Sequence, residues 1–186
     1  MKNIYLIFLR GVMPSGKNKV PMEKLREVLS KAGYPSAKTY LGTGNIILQS
    51  EKDSVFIADF IHTLILEEIG PDLSVIVRTP EEVEELLQHN PFNTENHDIS
   101  RVFFTMLGEE PDIIRVQEVM SLFENGVEEQ LQIIGKTAYM YIVGNAGRSK
   151  LSNNFLERKL KVSSTARNFN TLTKVVSISK GVLSSG

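Results

Sequence analysis

The chain of 186 residues contains no cysteine, which excludes disulfide bonds, thiolate nucleophiles and cysteine-ligated zinc or iron–sulfur sites. Its three histidines, His62, His89 and His97, are scattered along the sequence and do not suggest a metal centre. We therefore predict neither a metal nor a cofactor. The sequence also lacks a nucleophile elbow, an H-E-x-x-H pattern and a dinucleotide fingerprint. Composition and motifs thus exclude many kinds of reaction and do not indicate a particular one.

Long apolar segments are missing as well. The run at residues 4–9 stops at Arg10, whereas a membrane span needs about 20 residues and a signal peptide needs a longer apolar stretch. A short run of this kind is typical of a buried central strand. We expect a cytoplasmic protein with no membrane partner.

The formal net charge of −1 hides an asymmetry along the chain. The C-terminal segment, residues 146–186, holds eight basic residues and one acidic residue, so its net charge is +7. The first 145 residues carry a net charge of −8. This pattern is consistent with an anionic partner or with docking of the basic segment on the acidic part of the same chain.

The first 78 residues show alternating strand and helix patterns in the order β-α-β-β-α-β. Pro21 opens the first helix and Gly33 ends it, while Ser50 and Asp53 mark the start of the second. This order is that of the split βαβ, or ferredoxin-like, unit. A capping box at residues 79–82 then predicts a linker helix.

The order partly repeats in the second half, where the last expected strand is replaced by a helix. Ser163 or Ser164 is predicted to cap this helix, with Ala166, Phe169 and Leu172 on its apolar side. The predicted fold class is therefore α+β, with two ferredoxin-like subdomains of related design. The first covers residues 1–92, including the linker helix. The second covers residues 93–186, lacks its last strand and ends in an extra basic helix.

A glycine-rich loop follows the first strand and is the first candidate site. Residues 11–17 match G-x-x-x-x-G-K, but Asn18 stands where a P-loop needs serine or threonine to bind magnesium. Pro21 also delays the helix that a P-loop starts at its lysine. We reject a P-loop and keep two interpretations of a loop with Arg10, Lys17 and Lys19: an anion-binding loop or a solvated turn.

The second candidate site is the segment at residues 144–150, between a strand and a helix. Backbone N–H groups and the positive end of a helix dipole would point outward there. Arg148 and Lys150 add full charges, and Ser149 is expected to cap the helix. The alternative is an ordinary glycine turn followed by a cap.

The third candidate site is a polar stripe on the predicted last helix, with Arg167, Asn170, Thr171 and Lys174 at i, i+3, i+4 and i+7. Asn168 and Asn170 are unusual inside a helix because asparagine is a weak helix former. Their presence suggests a binding task for these side chains. The alternative is an exposed helix face.

Several blocks of the sequence, most of them at its two ends, resemble one family: Leu9-Arg10-Gly11, Gly16-Lys17-Asn18-Lys19-Val20-Pro21-Met22, Thr39-Tyr40-Leu41, Gly44-Asn45, Asn90-Pro91-Phe92, Gly147-Arg148-Ser149-Lys150-Leu151 and Thr165-Ala166-Arg167-Asn168-Phe169-Asn170-Thr171. The chain resembles the bacterial domain of unknown function 1697 family over essentially its whole length. Members often have a glycine pair near residues 12–15 and tryptophan in place of Phe169. The resemblance implies a cytosolic bacterial α+β protein of ferredoxin-like design. It implies no activity, so no catalytic residue is carried over.

We predict that these blocks meet in a groove between the two subdomains and bind an anionic ligand, such as a nucleotide or a phosphorylated metabolite. Single-stranded nucleic acid is the other anionic partner, although few aromatic side chains lie near the basic blocks. One alternative is an enzyme acting on a phosphorylated small molecule, for which no general base is evident. Another is a structural or partner-binding module. The sequence does not indicate an oligomeric state. The predicted ligand-binding residues are Arg10, Lys17, Asn18, Lys19, Asn45, Arg148, Ser149, Lys150, Arg167, Asn168 and Asn170.

Overall fold

The computed structural model describes residues 2–183. The chain divides into two compact units, the first made of residues 2–84 and 173–183 and the second of Glu85–Leu172. Each unit contains one four-stranded antiparallel sheet, and the described residues include six helices, which makes this a mixed α+β protein. The division between residues 92 and 93 that the sequence suggests stays a prediction.

The first unit contains four strands, two whole helices, the start of helix α3 and, at residues 173–183, most of the last helix. Its elements are β1 (Asn3–Leu9), α1 (Met22–Lys31), β2 (Lys38–Tyr40), β3 (Asn45–Ser50), α2 (Ser54–Glu68), β4 (Val75–Arg78) and α3 (Pro80–Gln88). The sheet order is β2-β3-β1-β4. The apolar strand β1 is central because it pairs antiparallel with both β3 and β4, which satisfies its backbone on both sides.

Helices α1 and α2 cover one face of this sheet. The core there joins Ile7 and Leu9 of β1 to Leu25 of α1 and to Ile57 and Ile61 of α2, all of them buried. Alternation along β1 sends these strand residues to the helical side. Burial of this one face therefore sets the register of the strands.

Side-chain caps set two helix starts in this unit. Asp53, expected as the second member of a capping pair with Ser50, is itself the cap of α2 and accepts the N–H of Phe56 at 2.8 Å, whereas Ser50 ends β3. The capping box of α3 is confirmed, because the Thr79 N–H donates to Glu82 Oε2 at 2.7 Å and the Glu82 N–H donates to Thr79 Oγ1 at 3.2 Å. These caps fix where the two helices begin.

The second unit repeats the alternation of strands and helices. Its elements are β5 (Val102–Leu107), α4 (Ile113–Ser121), β6 (Glu129–Ile134), β7 (Thr137–Ile142), α5 (Asn153–Leu160), β8 (Ser164–Asn168) and the start of α6 (Phe169–Leu183). The sheet order is β6-β7-β5-β8. Helices α4 and α5 cover one face, where Val116 and Leu156 pack with Leu107, Ala138 and Met140.

The predicted absence of the last strand in this unit is wrong. Residues Ser164–Asn168 form β8, which pairs antiparallel with β5 and places Arg167 opposite Phe104. The left-handed conformation of Lys161 (φ 63°) ends α5, and the chain then becomes extended. Pairing with the open edge of β5 outweighs the helical spacing of Ala166, and the last helix starts only at Phe169.

Among residues 2–183, no helix combines the length and the apolar character needed to cross a membrane.

Candidate functional site

The β1–α1 loop, residues 10–20, carries four of the predicted site residues: Arg10, Lys17, Asn18 and Lys19. The loop is fixed at its start, because the Arg10 N–H donates to the Ser74 carbonyl at 3.0 Å. It is also closed across its middle, where the Met13 N–H donates to the Asn18 carbonyl at 3.0 Å. The loop therefore has a defined backbone path.

Asn18 stabilises this loop from within. Its Nδ2 donates to the Gly11 carbonyl at 3.4 Å, and its side chain is half-buried. A turn follows, in which the Lys19 N–H donates to the Gly16 carbonyl at 3.2 Å. Asn18 thus uses a side-chain donor inside the loop, in contrast to the ligand contact expected from the sequence.

The turn between β2 and β3 is locked against the start of the loop through Gly44. The Leu9 N–H donates to the Gly44 carbonyl at 2.8 Å. A Cβ atom at Gly44 would lie 2.7 Å from Leu9 Cβ and 2.8 Å from Val12 Cγ2, and φ is +81°. Only glycine fits this approach, so the two segments are held at one end of the sheet.

Asn45, the remaining predicted site residue of this unit, is fully buried. Its Nδ2 donates to the Tyr40 carbonyl at 2.8 Å and to Thr43 Oγ1 at 3.1 Å. Both bonds close the β2–β3 turn. The side-chain amide donors of Asn45 are thus engaged within the protein.

The tip of the β1–α1 loop presents open donors. Within the described part of the chain, no acceptor faces the backbone N–H groups of Ser15, Gly16 and Lys17. All three residues are exposed, as is Lys19. Adjacent backbone N–H groups beside ammonium groups form a local site of positive potential. This tip is the part of the first unit that is open to an anion.

The β7–α5 loop, residues 144–150, has a different arrangement, because the amides from Gly147 onward already have acceptors. The N–H groups of Gly147, Arg148 and Ser149 donate to Asn145 Oδ1, to the Asn145 carbonyl and to the Ala146 carbonyl at 2.8, 2.9 and 3.4 Å. The following N–H groups donate to Glu129 Oε1 and to Ser149 Oγ. The backbone N–H groups of this second half of the loop are therefore satisfied internally.

Glu129 supplies the anion that the β7–α5 loop binds. Its Oε1 accepts the Ser149 hydroxyl at 2.6 Å and the Lys150 N–H at 3.2 Å. The prediction that Ser149 caps α5 is wrong, since Ser152 caps that helix by accepting the Phe155 N–H at 3.4 Å. Sequence reasoning missed Glu129 because the residue lies on β6, far along the chain from this loop.

The third predicted group divides between β8 and the first turn of α6. Arg167 is half-buried on β8, where its Nη1 donates to Thr165 Oγ1 and to the Ala166 carbonyl, each at 2.8 Å. Asn168 Oδ1 accepts the Thr171 N–H at 2.9 Å, as a helix cap does. The predicted helical stripe that starts at Arg167 is therefore wrong. Asn170 is exposed.

Both groups of the second unit lie at one end of its sheet. Phe103 on β5 pairs with Met140 of β7 and with Asn168 of β8, so the segments that follow β7 and β8 leave from the same end. A cavity of about 290 Å³ opens at the helical side of the sheet. Its lining residues are Phe103, Met140, Ile142, Ala146, Leu151, Ser152, Asn153 and Ala166.

Arg78, which the sequence analysis did not select, is a buried cation in the first unit. The residue ends β4 opposite Leu6, and its Nη1 donates to the Val77 carbonyl at 2.9 Å. Burial lowers the pKa of Arg78, and the charge of Glu82 opposes this shift. An arginine closing the β-branched run 75–77 was the signal available in the sequence.

Two buried polar groups of the second unit lack a hydrogen-bond partner. Asn90 Nδ2 has none, although Asn90 Oδ1 accepts the Phe92 N–H at 3.0 Å. The hydroxyl of Thr105, on the helical side of β5, also has none. Asn90 belongs to a block noted in the sequence, whereas Thr105 has no sequence signal.

The histidines take part in local contacts. His97 lies against Phe92 and Tyr141, with ring centroids 5.1 and 4.7 Å away, and its Nδ1 is 2.7 Å from Thr94 Oγ1. The His89 Nδ1 lies 2.9 Å from the Glu85 carbonyl oxygen. Within residues 2–183, no group of three or more histidine or carboxylate side chains is placed to hold a metal ion.

The chain is similar to known proteins both in sequence and in fold. The sequence model of the family described as "Protein of unknown function (DUF1697)" matches residues 1–139. The conserved bacterial protein SP0830 from Streptococcus pneumoniae has a similar structure, with a TM-score of 0.68 and 21% sequence identity. That alignment covers 95% of this chain and 98% of the other. No curated protein matches the sequence.

Proposed function

The chain belongs to the DUF1697 family of proteins of unknown function, and from this starting point we propose that it binds a small anionic ligand at the tip of the β1–α1 loop. The observation that carries the proposal is the set of unpartnered N–H groups at Ser15, Gly16 and Lys17. A phosphate group suits such a set, because its oxygens accept several hydrogen bonds at once.

Hydrogen bonds and packing contacts order the loop before a ligand binds. The Arg10 N–H bond to Ser74 and the Gly44 contact hold its start, and Asn18 closes it across the middle. A loop ordered before binding loses less conformational entropy when the ligand arrives. Lys17 and Lys19 add charge at the same tip.

A nucleotide or phosphorylated metabolite fits better than single-stranded nucleic acid. Strand binding relies on exposed aromatic rings on which bases stack. Of the three aromatic residues considered from the sequence, Phe92 is buried against His97 and Tyr141, while Tyr40 and Phe169 are half-buried. We favour a small ligand for this reason.

Calorimetric titration with ATP, with inorganic pyrophosphate and with a single-stranded oligonucleotide, each at two salt concentrations, tests the proposal. We expect pyrophosphate or ATP to bind, and Lys17→Ala to weaken binding by about tenfold. Lys52→Ala is the control, because Lys52 follows β3 at the opposite end of the sheet. Absence of binding by all three probes would overturn the proposal. Binding of the oligonucleotide alone with steep salt dependence would replace the small ligand by a polyanion.

One ion pair favours the structural alternative as a second candidate. Lys180 Nζ, from the basic C-terminal segment, lies 2.5 Å from Glu84 Oε1 in the acidic helix α3. Exposed pairs of this kind contribute between about 0 and 1 kcal/mol. A thermal midpoint that does not move between low and high salt would argue against electrostatic docking of this segment.

We also propose that both units are ferredoxin-like and related by duplication. Each has the element order β-α-β-β-α-β, and the sheet orders β2-β3-β1-β4 and β6-β7-β5-β8 are equivalent. All pairings are antiparallel in both sheets. This equivalence supports the split βαβ design expected from the sequence.

A further inference from the structure

The edge strands of the two sheets differ in how they are protected. Edge strands invite pairing with another chain unless charges, proline or bulges prevent it. Of the four edge strands in the described structure, three include a basic residue: Lys38 in β2, Arg78 in β4 and Arg167 in β8. Strand β6 has none, and the carboxylate of its one acidic residue, Glu129, is bonded to Ser149 and Lys150.

The outward-facing backbone groups of β6 can be identified from its turn. The β6–β7 hairpin has a two-residue turn, Gly135 and Lys136, between the paired residues Ile134 and Thr137. At its open end the Val143 N–H donates to the Glu128 carbonyl at 2.8 Å. Bonding alternates along an antiparallel pair, so the even-numbered residues of β6 bond to β7. Leu131 and Ile133 therefore direct their backbone N–H and carbonyl groups away from the sheet.

A groove runs beside this edge on the helical side of the sheet. It has a volume of about 370 Å³, and its lining residues are Gln117, Met120, Ser121, Phe123, Glu124, Gly126, Gln130, Leu131 and Gln132. Leu122 and Val127, between α4 and β6, are 60% and 81% exposed, and Ile134 at the end of β6 is 51% exposed. Exposed apolar side chains around an unpaired strand are typical of an interaction surface.

We propose that β6 pairs antiparallel with β6 of a second copy of this chain, with Leu131 opposite Ile133 of the second copy. In this register the outward backbone groups of Leu131 and Ile133 meet across the two-fold axis and form four hydrogen bonds. Their side chains lie on the helical face, so Ile133 of the second copy enters the groove beside Leu131. A second copy of the chain is the partner because β6 is complementary to itself in this register.

The neighbouring positions favour the same register. Gln132 meets its own symmetry mate on the two-fold axis, where two amides can hydrogen-bond to each other. Glu129 lies opposite the turn residue Gly135 of the second copy, away from the apolar pair. A shift by two residues toward the strand start would place the Glu129 carboxylate against Ile133, which is less favourable.

Sedimentation velocity of the full chain, over about two orders of magnitude in concentration, tests the pairing. We expect a dimer of twice 20.9 kDa that dissociates on dilution. Gln132→Lys places two like charges on the axis and should raise the dissociation constant by at least about tenfold. Gln88→Lys makes the same substitution at an exposed site on α3 and should leave the dissociation constant unchanged.

Disulfide cross-linking tests the register, since the chain has no cysteine of its own. Residues at a non-hydrogen-bonded antiparallel position have Cα atoms about 4.5 Å apart, within the range of a disulfide. Gln132→Cys should therefore cross-link the dimer on mild oxidation, and Gln88→Cys should not. A wild-type chain that stays monomeric overturns the proposal, and so does a dimer that neither Gln132→Lys nor Gln132→Cys affects.

Discussion

The Glu129 carboxylate lies 2.6 Å from the Ser149 hydroxyl, in the β7–α5 loop where the sequence predicts that an external anion binds. The β7–α5 loop therefore has the chemistry of an anion-binding loop, with its anion supplied by the protein itself. The β1–α1 loop has no such internal occupant at its tip, where three consecutive N–H groups are open. This difference directs the functional proposal to the first unit.

Removing the internal anion should weaken the second unit. Glu129→Ala takes away the acceptor for Ser149 and for the Lys150 N–H. We expect the free energy of unfolding to fall by about 1 to 3 kcal/mol, since hydrogen bonds to charged groups contribute about that much. Urea denaturation measures this change. Glu128→Ala, at the adjacent exposed position, is the control and should change stability by less than about 0.5 kcal/mol.

The unpartnered hydroxyl of Thr105 predicts a substitution that stabilises the protein. Thr105 is fully buried on the helical side of β5, and its hydroxyl has no hydrogen-bond partner. Thr105→Val keeps the shape and removes the buried polar group, so the free energy of unfolding should rise by about 1 kcal/mol. A thermal melt of the variant and the wild type shows whether stability rises or falls. Destabilisation by Thr105→Val would show that the hydroxyl has a partner in solution.

The close approach at Gly44 predicts a strong effect of one added methyl group. Gly44→Ala forces Cβ against Leu9 and Val12 at a positive φ, and we expect a loss of about 2 to 4 kcal/mol in the free energy of unfolding. Gly42→Ala, in the same turn, meets nothing within 4 Å and should be nearly neutral. Equal effects of the two substitutions would contradict the close packing of the turn on the β1–α1 loop.

Burial of Tyr139 predicts a loss of stability in alkali. Burial, with a smaller contribution from Glu85, raises the pKa of Tyr139 from 10.0 to about 12, and its hydroxyl donates to the Leu86 carbonyl at 2.9 Å. Because the folded pKa is higher than the unfolded one, this contribution is complete below pH 10 and is lost as the pH rises toward about 12.

Urea denaturation at several pH values checks this effect. Tyr139→Phe should be less stable than the wild type at neutral pH, because it lacks the bond to Leu86, and its stability should fall less steeply with rising pH. Tyr40→Phe is the control at a half-buried tyrosine of the other unit. An unchanged pH dependence in Tyr139→Phe would refute the assignment.

Much of the fold is predictable from local sequence patterns. The apolar run of β1, the capping box at Thr79 and the glycine-bounded turns lie where short-range rules place them. Prediction fails at β8, whose residues have helical apolar spacing. Its conformation depends on pairing with β5, which is distant in the sequence.

The candidate site is predictable only in part, for the same reason. The sequence indicates which loops are rich in glycine, lysine and asparagine, but it does not show whether their donors are already used. Asn18 and Asn45 bond inside their own turns, and the burial of Arg78 follows from its place at the end of β4.

The sequence by itself determined the absence of thiol chemistry, the alternation of strands and helices as far as α5, the capping box of α3 and the family. Composition, periodicity and capping act over a few residues, which is why these features are visible without the fold. Only the tertiary structure decided that β8 is a strand, that Glu129 fills the β7–α5 loop and that β6 remains an unprotected edge. Each of these depends on hydrogen-bond partners from distant parts of the chain, and folding alone brings those partners within bonding distance.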